Sequence, residues 1–123
     1  MSTTNFPKHG EIWFVSIPNQ PNDPHQPRPA IIIISTNGRN KHTSDVVVVP
    51  TTSSQSFRPH PDVHIHIPAG EGGLPKASYA RCDQISTIDK SLLSGGPLGA
   101  PVHLSYRWAM IAAIRRTVGD TTV

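Results

Sequence analysis

Two short stretches of nearly unbroken β-branched residues limit what this chain can fold into: Ala30-Ile31-Ile32-Ile33-Ile34 and Val46-Val47-Val48-Val49. Both fall well short of the ~20 apolar residues of a membrane span. Their side chains are stiff at χ1 and pack well on a pleated surface. A strand that is apolar at every position is covered on both faces, so Ala30–Ser35 and Asp45–Pro50 are expected as central strands. Gly10 opens a third, Glu11–Ile17, which Pro18 ends. Val63-His64-Ile65-His66-Ile67 alternates, placing Val63, Ile65 and Ile67 inward and both histidines outward. Ser78–Ile88 reads as a further strand, bent where Asp83 and Gln84 interrupt it.

Prolines and glycines, 13 and 9 of 123 residues, separate these segments and keep the elements short. Residues 36–44 are expected as a turn or a short helical excursion, and Asp89–Leu93 as one helical turn capped by Asp89. Ser94–Pro101 is expected to be flexible. The last element is a helix from about His103 to Val118. Leu104, Trp108, Ile111 and Val118 recur on it at helical spacing as the predicted core face, joined by Ala112 and Ile114. One domain is expected, residues 10–119, between a flexible lead-in, 1–9, and a tail, 120–123. The economical assembly is a mainly β fold: a five- or six-stranded, curled, SH3-like antiparallel barrel with a C-terminal helix.

The formal charge of +3, with seven histidines beyond it, favours an anionic partner such as nucleic acid or an acidic protein. Cys82 is the one cysteine, which excludes an intrachain disulfide. With no apolar leader and no spanning run, a soluble cytoplasmic protein is expected.

Arg81-Cys82-Asp83 carries the most chemistry. On a strand, Arg81 and Asp83 would project together while Cys82 points into a core. A guanidinium and a carboxylate on one face can perform acid–base chemistry on a phosphate ester, or simply pair. Thr51, Thr52, Ser53 and Ser54 end the valine strand, either satisfying turn backbone or facing a phosphate. His60, His64 and His66 lack the cysteine or carboxylate company of a zinc site and read as polar surface. The Gly-rich stretch 68–76 lacks the spacing of a nucleotide-binding P-loop.

With these landmarks placed, the chain resembles the MazF/PemK family of toxin endoribonucleases, nearest the Kid (PemK) type. Four segments carry the resemblance, in order: Gly10-Glu11-Ile12-Trp13-Phe14-Val15-Ser16, Arg28-Pro29-Ala30 with its isoleucine run, Val49-Pro50-Thr51-Thr52-Ser53, and Arg81-Cys82-Asp83-Gln84 with Thr87-Ile88-Asp89. The resemblance covers nearly all of residues 9–118. The resemblance implies the curled CcdB/PemK-type barrel. It also implies a homodimer, cleavage of single-stranded RNA at short sequences without metal or other cofactor, an acidic cognate antitoxin as partner, and no membrane.

Cleavage of this kind lets the ribose 2′-OH attack its own phosphate, giving a 2′,3′-cyclic phosphate and a 5′-OH. It needs a base for the hydroxyl, a proton for the leaving oxygen, and positive charge on the phosphorane. By resemblance Asp83 is the base and Arg81 the acid or the electrostatic stabiliser. A guanidinium holds its proton too tightly for the first of these roles, so charge stabilisation suits Arg81 better. Arg28 and Thr52 match phosphate-contacting positions. Ser53, Phe57, Arg58 and Gln84 are the candidate RNA contacts, Phe57 for base stacking. The five-proline stretch from Pro18 to Pro29 lacks the family's G-x-E-Q pattern, so no RNA sequence preference carries over. There His25 is either an assistant to catalysis or an unrelated loop histidine. The alternatives are a non-catalytic barrel that binds a protein target, as the gyrase poison CcdB does, and a silent RNA- or antitoxin-binding module.

Overall fold

The computed structural model describes residues 5–16 and 29–123. Their β-branched segments form the strands β1 (Ile12–Val15), β2 (Ala30–Ile33), β3 (Asp45–Thr52), β4 (His64–Ile67), β5 (Ser78–Arg81), β6 (Ser86–Asp89) and β7 (Leu93–Pro97). Two helices complete the fold, α1 (Asn37–His42) and α2 (Leu104–Thr117). The sheet is antiparallel and runs β4-β5-β3-β2-β1-β7, with β6 also on β3. It is curled but not closed: among the described residues its outer strands, β4 and β7, are not hydrogen-bonded to each other. Seven strands thus replace the expected five or six. No helix among the described residues is long and apolar enough to cross a membrane.

The expected strand Ser78–Ile88 divides into β5 and β6, and β7 is added in the stretch expected to be flexible. Gly95 and Gly96 take φ of 76° and 78°, a region that only glycine enters freely. They let the chain bulge between the pairings Phe14↔Ser94 and Trp13↔Pro97, so a Gly-Gly-Pro sequence still pairs with β1. At its other end the chain is tied down before Gly10. The His9 N–H donates to Asn37 Oδ1 at 2.7 Å, and the Lys8 N–H to Glu11 Oε1 at 2.7 Å.

The isoleucine run is buried on both faces, as its uninterrupted apolar character requires, with Ile31 5% exposed and Ile32 and Ile33 at 0%. Ile32 joins Ile12, Val49, Ile67, Ala80 and Cys82 in a core closed by Met110 and Ala113 of α2. Ile31 and Ile33 pack on the opposite face with Val46 and Val48.

The face by which α2 docks differs from the predicted one. Leu104, Trp108 and Val118 are 53%, 65% and 75% exposed, and Ile111, Ala112 and Ile114 are half-buried. Met110 and Ala113 are the helix's buried residues. The helix has apolar side chains on more than one side, so spacing alone does not select the docking face, and the small Ala113 allows close approach. Asp89 caps its short turn as expected, accepting from the Ser91 N–H at 2.8 Å.

Candidate active site on the outer face of β3, β4 and β5

Strand register assembles this site. Residues directly opposite on paired strands share a face. Thr52 lies opposite Tyr79, Tyr79 opposite His66, and Arg81 opposite His64. These five side chains therefore occupy the outer face of the sheet. Thr51, Ala80 and Ile65 alternate onto the core side, where the Thr51 hydroxyl donates to the Ala30 carbonyl at 2.8 Å. β3 runs past Pro50 to Thr52, which is what puts the Thr52 hydroxyl on the face.

Loop 53–63 folds back over this surface. The Phe57 ring packs edge-on to His64 at 4.8 Å and tilted against Tyr79 at 5.8 Å, with the Arg81 guanidinium carbon 5.5 Å from its centre. A cation over an aromatic face is held by the ring quadrupole. His66 meets Tyr79 at 5.2 Å on the other side.

Arg81 and Asp83 do not share one strand. β5 stops at Arg81, whose ψ of 79° turns the backbone into a 3-10 turn, Cys82–Gln84. Cys82 points into the core at 0% exposure, as predicted. Burial first, and then the neighbouring Asp83 carboxylate, push its thiol up to about 12, and Arg116 opposes them, so it is inert packing. No ion pair joins Arg81 to Asp83. The Asp83 Oδ1 lies instead 3.1 Å from His64 Nε2, while Arg81 has its Nε buried without a hydrogen-bond partner among the described residues. A buried N–H left unpaired is costly, so each one in a folded protein calls for a physical account.

Beside this face, a cleft of about 500 Å³ is lined by Thr52, Ser53, Ser54, Lys76 and Ser78, together with Pro29 and Phe14. Arg58, Ser53 and Gln84 are exposed. His25 and Arg28 lie outside the described residues. Among the described residues, no group of three or more His, Cys, Asp or Glu is placed to share a metal ion. His60 and His64 meet through a backbone bond, the His60 N–H donating to His64 Nδ1 at 2.7 Å.

Sequence reasoning passed over Tyr79 and Lys76, and it read His64 as surface. Tyr79, the partner of both Thr52 and His66, was open to inference once β3 and β4 were each paired with β5. The burial of His64 was not, because it depends on how loop 53–63 returns.

Compared with known proteins, residues 8–107 match the family model described as PemK-like, MazF-like toxin of type II toxin–antitoxin systems. A comparison with curated proteins returns no match. Among solved structures, the chain is similar to an endoribonuclease from a mycobacterial species, at 25% identity and a TM-score of 0.73 over 97% of each chain. It is also similar to a mycobacterial endoribonuclease in complex with its cognate antitoxin, at 26% identity and a TM-score of 0.69 over 92% of this chain and 95% of that one. MazF from the MazE–MazF complex of Deinococcus radiodurans shares the fold, at 16% identity and a TM-score of 0.71 over 93% and 96%.

Proposed function

The chain belongs to the PemK-like, MazF-like family of toxins of type II toxin–antitoxin systems, and from that membership we propose how it acts as an endoribonuclease. It cuts single-stranded RNA at selected sequences without a metal, by attack of the ribose 2′-OH on the adjacent phosphate. Residues 10–119 form the single toxin domain, working in the cytoplasm as a homodimer and held in check by an acidic antitoxin. The exposed apolar residues Leu104 and Trp108, one turn apart on α2, support a protein partner on that side.

Asp83 takes the proton of the 2′-hydroxyl. The oxygen closes on phosphorus, the bond to the 5′ oxygen breaks, and a 2′,3′-cyclic phosphate and a 5′-OH result. Arg81 stabilises the charge that builds on the phosphorane. Thr52 and Arg28 hold the phosphate, and His25 is the candidate donor to the leaving oxygen. Ser53, Phe57, Arg58 and Gln84 contact the RNA around the scissile bond, with Tyr79 and Lys76 as additions from the site's geometry.

The unpartnered, buried Nε of Arg81, on the same face as Thr52, is the observation that carries this reading. A non-bridging phosphate oxygen is an acceptor that the guanidinium can meet on this face. A silent module would let Arg81 and Asp83 neutralise each other, and they form no ion pair.

The test is to incubate purified, antitoxin-free protein with long single-stranded RNA in EDTA and map the fragment ends. Discrete cuts with 5′-OH ends are expected, and Asp83→Asn is expected to slow them by ~100-fold or more, the usual worth of a general base. Intact RNA across several sequences would move the function to binding.

A further inference from the structure

The reaction just described leaves His64 without a task, although the fold has taken trouble over it. It stands in an H-x-H pair on an outward face, yet its side chain is 10% exposed, because Phe57 closes over the ring. Both ring nitrogens have partners. A backbone N–H can only donate, so the His60 N–H at 2.7 Å makes His64 Nδ1 an acceptor. The neutral ring then carries its proton on Nε2, which lies 3.1 Å from Asp83 Oδ1. Loop 60–64 is itself anchored by Arg116 of α2, whose Nε donates to the Asp62 carbonyl at 2.7 Å. Asp83 sits on a single 3-10 turn with its side chain 35% exposed, and its Oδ2 has no partner among the described residues.

We propose that His64 is the positioning residue for Asp83: its Nε2–H grips Oδ1 and thereby aims Oδ2 at the ribose 2′-hydroxyl. The inference rests on Asp83 being the base. In the step, the hydroxyl proton passes to Asp83 Oδ2 as the bond from the 2′ oxygen to phosphorus forms and the bond to the 5′ oxygen breaks. His64 keeps its own proton throughout, because Nδ1 is occupied by the His60 N–H and cannot pass a proton on. Its contribution is geometric, since a base misplaced by about 1 Å can lose ~100-fold in rate.

Five proteins settle it on one RNA, in single-turnover cleavage: wild type, His64→Phe, His64→Gln, Asp83→Asn and the double variant His64→Phe/Asp83→Asn. Phenylalanine keeps the ring against Phe57 and removes the donor, and glutamine puts an N–H near the position of Nε2. The Phe variant is expected to lose ~10- to 100-fold in maximal rate, with half-saturation changed by less than ~3-fold. The Gln variant recovers most of the rate, and the double variant is no slower than Asp83→Asn.

A Phe variant as fast as wild type overturns the inference. So does a Gln variant as slow as Phe, which would make the imidazole itself a proton carrier. A double variant slower than Asp83→Asn would show His64 acting apart from Asp83, with the same consequence. If the Phe variant does not fold, the imidazole ¹⁵N spectrum of the wild type decides. A bare Nδ1 and an Nε2–H that shifts in Asp83→Asn uphold the inference, and the reverse tautomer overturns it. Failure of the underlying reading looks different: wild type leaves RNA intact, or Asp83→Asn cuts as well as wild type, and both ideas then fall.

Discussion

At the scale of the residue, small differences in backbone decide which groups can react. Thr52 reaches the outer face by one step of strand alternation past Thr51, and its hydroxyl already accepts the Ser54 N–H at 3.2 Å. Thr52→Val keeps the branch and removes the hydroxyl, and is expected to cut cleavage by ~10-fold while leaving the thermal midpoint within a few degrees. Measured rates and melting curves check both halves. Cys82 sits between Arg81 and Asp83 but faces the core with its thiol held at about 12, so iodoacetamide at pH 8 is expected to label it only after unfolding. Much of this site was legible in the sequence, because Arg81, Asp83 and Thr52 stand in recognisable segments. What alternation could not supply was that the strand would stop at Arg81 and hand Asp83 to a turn. That break separates the two charges and gives the carboxylate to His64. An H-x-H pattern tells which way a histidine points, but not whether a loop covers it.

At the scale of the element, α2 and the glycine turn before β5 illustrate how packing overrides pattern. Trp108 is the larger and more apolar side chain, yet Met110 is the one with no exposure. Met110→Ala is expected to lose ~2–5 kcal/mol of unfolding free energy, as core truncations do. Trp108→Gln is expected to change the monomer by under ~0.5 kcal/mol, both read from denaturant melts. The sequence pointed to the opposite order, because heptad-like spacing ranks faces by their largest residues and ignores how close a helix can come. Gly73 shows the same dependence on a distant neighbour. A Cβ there would lie 2.3 Å from the Leu98 carbonyl oxygen, at a φ of 81° that side chains resist. Gly73→Ala is therefore expected to lower stability by more than ~1 kcal/mol. The strands themselves were readable from composition, β2 and β3 most clearly. β7 was not, since Gly-Gly-Pro pairs only because β1 presents an open edge to it.

At the scale of the molecule, β3 organises everything: it pairs with β2 and with both β5 and β6, and so links the two halves of the sheet. The C-terminal end is fixed electrostatically. Hydrogen bonds from the Thr122 hydroxyl and backbone, and then the Arg115 guanidinium at 2.7 Å, lower Asp120 from 3.8 to about 2. A depressed carboxylate stabilises the fold above its unfolded value and loses that effect as pH falls through the folded one. Asp120→Asn is thus expected to melt below wild type above pH ~4, with the gap closing toward pH ~2, in paired thermal scans. The pairing of Trp13 with Pro97 has a consequence for how the sheet is completed. β1 is followed directly by its partner β2, but its second neighbour, β7, comes after every other strand in the chain. Thr52, Arg81 and Asp83 all precede that strand in sequence, so the outer-face cluster and the β1 edge are built from different parts of the chain. The sheet thus reaches its full strand order only when the last of its strands has joined the first.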